Sequence, residues 1–307
     1  MSDLAPETLR DTSPQVEERP KALQADLPLL KARVEEAFEV VPGRADATLL
    51  LLADHASNRL PEGYEPALGL PPHEFERHIA YDIGVEGVTR RMAAMLDAPL
   101  VMSRFSRLLI DPNRDADDPT LIMRLSDGAI VPANHPMSAE EREYRLLHYW
   151  QPYDRAVRNA IDTITERTGV PPLIVSVHSF TPFWRGVARP WQVGILWDGD
   201  DRVAKPLIEA LASDPELTVG DNEPYDGALG GDMMNRQAHR RGLPHALIEI
   251  RQDLIASEEG QVEWAERLTP LFAKLGAMPS LHEVRHYRSR TDPRPDAFLE
   301  QSNDIEP

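Results

Sequence analysis

Ionisable side chains stand at the carboxyl ends of three apolar segments of this chain. His55 follows the first segment, His178 ends the second, and Glu249 lies near the end of the third. In α/β folds the carboxyl ends of the strands form the edge at which binding sites are built. Two imidazoles and a carboxylate that remains available as a base are the groups that a zinc hydrolase requires. The sequence therefore predicts a metal-assisted hydrolytic site at this edge of a sheet.

A third metal ligand is expected from residues 74–96, where apolar residues recur at helical spacing. Within this predicted helix Asp82 lies among small and apolar residues, and a carboxylate on a buried face needs a cation or a hydrogen-bond donor. Asp82 is therefore the favoured third ligand, and His78, four residues earlier on the same helical face, is the alternative. A purely structural role would instead pair Asp82 with Arg77, Arg107 or a helix cap.

Glu249 is the strongest anomaly, because it interrupts a run that otherwise reads as a core strand. Burial of an unpaired carboxylate costs several kcal/mol or raises its pKa. A general base must lie near the attacking water without being consumed as a ligand, and we predict that Glu249 has this role. The structural alternative is an ion pair with Arg251 or Arg236.

Arginines are concentrated in residues 106–114 and 230–236. Guanidinium groups bind carboxylates through two parallel hydrogen bonds, and in an acidic protein such groups would create a local anion-binding site. Ordinary salt bridges to neighbouring aspartates are the alternative for any one of them. The predicted substrate-binding residues are Arg107, Asn113, Arg114 and Arg236.

Composition narrows the class of protein. The chain has 307 residues, with 33 Lys and Arg against 51 Asp and Glu, and a net charge of −18, which argues against nucleic acid and anionic membrane surfaces as partners. It has no cysteine, so any metal must be held by histidines and carboxylates. No apolar run approaches the ~20 residues of a membrane helix, and no signal sequence is evident. We expect a soluble, cytoplasmic protein.

Predicted strands and helices alternate along the chain, which favours an α/β three-layer sandwich with a mostly parallel central sheet. The predicted strands are 48–53, 100–103, 108–110, 173–177, 192–197, 246–250 and a short one near Leu217. The predicted helices are 74–96, 138–167 with Ser138 as its cap, 203–212 and 260–275. One domain is expected over residues 29–278, between mobile segments 1–28 and 279–307, which are polar and proline-bearing.

Five short segments resemble the motifs of the N-formylglutamate amidohydrolase family in their order and spacing. The most specific is Ser106-Arg107-Leu108-Leu109-Ile110-Asp111-Pro112-Asn113-Arg114, which is close to a Ser-Arg-x-x-Ile-Asp-x-Asn-Arg run of that family. The other four are His55-Ala56-Ser57, Tyr81-Asp82, Val177-His178-Ser179-Phe180 and His245-Ala246-Leu247-Ile248-Glu249-Ile250. The resemblance covers roughly residues 45–275.

The resemblance implies a fold similar to that of zinc carboxypeptidases and zinc amidases, the phosphorylase/hydrolase-like fold. It implies Zn²⁺ on His55, Asp82 and His178, with Glu249 as general base toward a water that attacks an N-acyl carbonyl. The substrate implied is an N-formyl-type amide of a small acidic amino acid such as N-formylglutamate, with its carboxylates held by the arginines.

The chain departs from the resemblance in its expected substrate pocket. Residues 225–236 stand where the family has Phe-Lys-Gly-Gly-Tyr-Ile-Thr-Arg, and the lysine is not retained. Asp154 likewise stands where a histidine is usual. The amide-hydrolase prediction depends less on these positions than the N-formylglutamate prediction does. Two alternatives stay open: a non-catalytic small-molecule-binding protein on the same fold, and a peptidoglycan-type amidase.

Overall fold

The computed structural model describes residues 37–64 and 67–292. Within these residues seven strands form one sheet: β1 Phe38–Val41, β2 Leu49–Ala53, β3 Leu100–Ser103, β6 Leu173–Phe180, β9 Val193–Leu196, β10 Val219–Asp221 and β11 His245–Arg251. Their order across the sheet is β1-β3-β2-β6-β11-β9-β10. Two small hairpins stand apart from it, formed by β4 Leu125–Ser126 with β5 Ala129–Ile130 and by β7 Phe183–Trp184 with β8 Val187–Ala188.

The sheet is mostly parallel. Strands β3, β2, β6 and β11 run parallel to one another, as do β9 and β10, whereas β1 is antiparallel to β3 and β9 is antiparallel to β11. The four adjacent parallel strands are buried along their whole length, apart from the last residue of β11. Such continuous apolar runs are expected where both faces of a parallel sheet are covered.

Helices cover both faces of the sheet, which confirms the predicted three-layer α/β architecture. The described helices are α1 Val85–Leu96, α2 Ala139–Arg145, α3 Gln151–Thr168, α4 Ala204–Ala212, α5 Met233–Gln237 and α6 Glu258–Gly276. One core lies between the sheet and α1, α4 and α6, and it takes alternate residues of β2 such as Leu49 and Leu51. The other core includes Leu50 and Leu52 and packs against α3 and α5. In the described ranges none of the helices is long and apolar enough to cross a membrane.

The predicted helix over residues 74–96 is wrong in its first half. A 3₁₀ helix spans Pro72–Glu76, and α1 begins only at Val85. Gly84 precedes α1 with a φ of 82°, and a Cβ atom there would lie 2.0 Å from the Ile255 carbonyl oxygen. Because this left-handed backbone ends the preceding turns, Asp82 lies in a loop before the helix. The helical face proposed to carry His78 and Asp82 therefore does not exist.

Two further predicted elements differ from the structure. Residues 108–110 lie in and directly after a turn instead of in a strand. The predicted helix over residues 138–167 begins as expected, since the Ser138 hydroxyl accepts a hydrogen bond from the Glu141 amide at 3.1 Å. It is interrupted by a π-helical turn at Leu146–Trp150, next to Pro152, which lacks the amide hydrogen that a continuous α-helix would use.

The beginning of the predicted C-terminal tail packs on the domain. Residues 279–281 form a 3₁₀ helix, the Arg285 amide donates to the Gly242 carbonyl at 2.8 Å, and the Arg290 amide donates to Asp198 at 2.7 Å. These hydrogen bonds attach the segment up to residue 292 to the end of the sheet that carries β9. The predicted mobile residues 1–28 and 293–307 lie outside the described residues.

Candidate active site

His55, Asp82 and His178 converge at the carboxyl ends of β2 and β6. His178 Nδ1 lies 2.8 Å from Asp82 Oδ2, and His55 Nδ1 lies 3.4 Å from the same oxygen. All three residues are buried, and one potential ligand atom of each lies within 4.8 Å of the others. Ligands of a tetrahedral zinc ion at ~2.0–2.1 Å are separated by roughly 3.3 Å, so the observed spacing fits a small divalent cation.

Both imidazoles are oriented by carboxylates that bind their other nitrogen atoms. His55 Nε2 lies 2.7 Å from Asp111 Oδ1, and His178 Nε2 lies 3.1 Å from Asp54 Oδ2. Asp54 is itself held by the hydroxyl of Tyr153, which donates at 2.7 Å. Carboxylates in this position fix the ring orientation of metal-binding histidines and increase their basicity. His55 Nδ1 is buried without a hydrogen-bond partner among the described residues, as a nitrogen atom reserved for a metal would be.

The charges around the cluster also favour a bound cation. Four carboxylates, those of Asp54, Asp82, Asp111 and Glu249, are at most 8% exposed. Arg107 contacts two of them, Asp111 at 2.6 Å and Asp82 at 3.6 Å. Although burial opposes it, the positive charge of the neighbouring imidazoles holds the pKa of Asp82 well below its usual range. With His55 and His178 neutral, as metal ligands are, the buried carboxylates outnumber Arg107, and a divalent cation would neutralise this excess, so the residues present fit zinc.

Glu249 lies beside this cluster. In the register of β11 and β6 it is the direct neighbour of His178, and strands are about 4.8 Å apart. Within the described residues its carboxylate makes no hydrogen bond, and Oε2 is buried. The proposed ion-pair partners are engaged elsewhere, Arg251 with Asp253 at 2.8 Å and Arg236 with Asp154 at 3.3 Å. Burial raises the pKa of the Glu249 carboxyl to about 7, as expected of a carboxylate kept for proton transfer.

A cavity of about 440 Å³ opens onto the cluster and is lined by Glu249 and by three of the predicted substrate-binding residues, Arg107, Asn113 and Arg114. Arg107 is committed to Asp111. The guanidinium of Arg114, in contrast, makes no hydrogen bond or ion pair within the described ranges, so it is available to a substrate carboxylate.

The remaining two candidates have other surroundings. Arg236 does not line the cavity. Its guanidinium lies over the ring of Trp150 at 4.7 Å and donates to the carbonyl oxygens of Arg114 and Gly231, so it supports the loop that carries Arg114. His78 does line the cavity, but its Nε2 lies 3.6 Å from Asp127, and Asp82 takes the third position in the cluster.

Sequence reasoning missed the residues that hold the histidines in place. The sequence did hold a signal for two of them. Asp54 directly precedes His55, and Ser176 is a polar residue in an apolar strand, two residues before His178. The Ser176 hydroxyl donates to Asp54 at 2.8 Å. Tyr153 gave no such signal, because it reaches Asp54 from α3, 99 positions along the chain.

Residues 47–256 match the family model of N-formylglutamate amidohydrolase. The chain belongs to this family. It is 30% identical over 147 residues to an N-formylglutamate deformylase of Pseudomonas putida, a match that covers 43% of the chain and only 51% of that relative. The chain thus spans about half the length of the curated relative. Membership of the N-formylglutamate amidohydrolase family confirms the resemblance seen in the sequence.

Two solved structures are similar to the chain over most of its length. A gene product of Agrobacterium tumefaciens has 34% identity and a TM-score of 0.74, with 80% of this chain and 96% of the other covered. An N-formylglutamate amidohydrolase from Ralstonia eutropha JMP134 has 22% identity and a TM-score of 0.58, with 78% and 97% covered. The second likeness concerns the fold alone.

Proposed function

We propose that the protein is a zinc-dependent hydrolase that cleaves an N-formyl-type amide of a small, carboxylate-bearing amino acid, with N-formylglutamate as the reference substrate. Family membership supports amide hydrolysis, and the buried cluster of His55, Asp82 and His178 supports a metal. The observation that carries the proposal is Glu249, an unpartnered buried carboxylate beside that cluster in the same cavity.

Each group has a role that follows from its surroundings. His55, Asp82 and His178 would hold zinc, which when bound acts as a Lewis acid and makes a water molecule more acidic. Glu249 accepts the proton of the attacking water and passes it to the leaving amine, since a carboxylate with a pKa near neutrality can do both. Arg114 binds the carboxylate of the substrate. Asp54 and Asp111 fix the orientation of the two imidazole rings.

The backbone also contributes to the site. Asn113 accepts a hydrogen bond from the Met233 amide at 3.0 Å, and the Asp111 carboxylate accepts one from the Asn113 amide at 2.9 Å. These bonds tie the arginine-bearing loop to α5 and to the histidine that Asp111 orients. The substrate-binding loop and the metal cluster are thereby held as one unit, which is the arrangement that precise positioning of a substrate requires.

The test is formate release from N-formyl-L-glutamate and other N-formyl amino acids. We expect turnover in zinc-loaded protein, its loss after chelation, and its recovery when zinc is restored. Zinc-loaded protein that binds these compounds but hydrolyses none of them would favour the non-catalytic binding protein. Release of amino acids from peptidoglycan peptides without hydrolysis of N-formyl compounds would favour the amidase.

A further inference from the structure

The cavity extends well beyond the metal cluster. Alternate residues of a strand share one face, and His245, Leu247 and Glu249 of β11 all line the cavity. At a rise of about 3.3 Å per residue, the Cα atoms of Glu249 and His245 are roughly 13 Å apart. The cavity therefore runs along β11 from the metal cluster to an inner end at His245.

The inner end combines apolar walls with buried polar groups. Its walls include Leu196 and Leu247, which are neighbours in the register of β9 and β11. His239, His245 and Asp198, here called the inner subsite, line the same cavity and are 6%, 3% and 3% exposed. His239 Nδ1 is buried and has no hydrogen-bond partner among the described residues. Buried polar atoms are normally paired, so this nitrogen atom points to a missing partner.

At the inner subsite, the atoms whose hydrogen-bonding role can be assigned are hydrogen-bond acceptors. His245 Nδ1 lies 2.8 Å from the Leu243 carbonyl oxygen, and because a carbonyl oxygen only accepts, Nδ1 carries the hydrogen. Burial lowers the pKa of His245, so its Nε2 is an unprotonated acceptor. Asp198 has one oxygen bound by the Arg290 amide at 2.7 Å, and its other oxygen lies 3.6 Å from His239 Nε2. A ligand group that donates hydrogen bonds fits these acceptors.

The cationic residues of the lining lie at the other end. Among the described residues, the arginines that line the cavity are Arg107 and Arg114. The positive charges of both lower the pKa of Asp111, which lies beside the metal cluster. Near the inner subsite, Arg290 Nε lies 3.7 Å from Asp198 Oδ1, and the same guanidinium donates to Asp226 and to the Trp197 carbonyl oxygen, each at 2.6 Å. A carboxylate at the inner subsite would face His245 Nε2 and Asp198, beside a guanidinium that is already shared between Asp198 and Asp226, whereas one at the metal end would meet Arg114.

We propose that the inner subsite binds the end of the substrate side chain and selects a hydrogen-bond donor there, so that N-formyl amino acids with amide or guanidinium side chains are preferred over N-formylglutamate. The proposal rests on the proposed amide hydrolysis and assigns the α-carboxylate to Arg114. A carboxylate side chain cannot donate a hydrogen bond, and it would leave the acceptors of the subsite unpaired.

The experiment compares kcat/KM for N-formyl-L-glutamine and N-formyl-L-glutamate, which have nearly the same shape, with N-formyl-L-arginine as a longer donor. We expect the zinc-loaded enzyme to prefer glutamine to glutamate by about tenfold or more. In Asp198→Asn the glutamine-to-glutamate ratio should fall toward one, and in the matched control Asp214→Asn, a surface position outside the cavity, it should not change.

Zinc content and thermal unfolding report whether Asp198→Asn is folded, and His239→Gln provides a second variant if it is not. Equal rates on the two substrates, or a preference for glutamate, would overturn the inference while leaving the amide hydrolase intact. An unchanged ratio in both folded variants would equally overturn it. Failure to hydrolyse any N-formyl amino acid would instead reject the proposed function, and the inference with it.

Discussion

Replacement of Glu249 by glutamine separates catalysis from stability. The variant keeps the size of the side chain but cannot accept a proton, so turnover should fall by about 10²–10⁴-fold. Zinc should be retained, because Glu249 is not in the proposed ligand set. Stability of the metal-free protein should rise, since a buried carboxylate without a partner is removed.

The size of that stabilisation depends on pH. Burial raises the pKa of Glu249 from 4.5 to about 7, so between these values the folded state holds more protons than the unfolded state, and its stability falls as pH rises. At ~1.36 kcal/mol per pH unit, the ionised carboxylate costs about 3 kcal/mol at pH 8 and less than about 1 kcal/mol at pH 5. Glu249→Gln should therefore stabilise the metal-free protein strongly at pH 8 and only slightly at pH 5.

Urea unfolding of chelator-treated proteins at the two pH values measures this difference, and Glu266→Gln, an exposed position on α6, is the control. A stability change that is the same at both pH values would show that Glu249 is not a buried carboxylate with a raised pKa. Turnover close to that of the wild type in the zinc-loaded variant would refute its role as the base.

Three other predictions concern the surroundings of the site. Asp111→Asn should weaken zinc binding about 10–100-fold, because His55 loses its carboxylate partner; unchanged affinity in a chelator competition would contradict this role. Arg114→Lys should raise KM for a dicarboxylic N-formyl amino acid more than for an uncharged acyl amide, since the two-point contact is lost, whereas equal effects would make Arg114 structural. Gly84→Ala should cost about 1–3 kcal/mol more in unfolding free energy than Gly63→Ala. Both glycines have positive φ, but only at Gly84 would the new Cβ meet a carbonyl oxygen, so equal costs would refute the steric explanation.

The sequence predicted the parts of the site that lie on strands. His55 and His178 follow buried runs whose period and composition specify strands, and parallel strands bring their carboxyl ends to one edge. Glu249 was identified by the opposite signal, a charge in an apolar strand. In each case a single local pattern indicated both the position of the residue and the direction of its side chain.

The structure brings Asp82 together with the two histidines, but from a loop and not from the predicted helix. The apolar spacing of residues 74–96 matches a helix, yet the left-handed backbone at Gly84 delays α1 to Val85. A loop then brings Asp82 to the turn that follows β2, where the Asp82 amide donates to the His55 carbonyl oxygen at 2.9 Å. Periodicity alone does not encode this close approach of backbones.

Local sequence patterns could not predict the contacts between residues that lie far apart in the chain. Tyr153 orients Asp54 from a different helix, and Arg236 turns away from the cavity because nearby carbonyl oxygens and Trp150 bind its guanidinium. Residue type and spacing restrict which groups can ligate or donate, but which side of a loop an arginine occupies is decided by tertiary packing.

Zinc stoichiometry in ligand variants tests the central claim most directly. After identical purification and dialysis, elemental analysis should find roughly one zinc ion per chain in the wild type and little in His178→Ala or His55→Ala, because each loses one of only three protein ligands. Circular dichroism confirms that the variants are folded. Full zinc occupancy in both folded variants would contradict the ligand set of His55, Asp82 and His178 and the mechanism built on it.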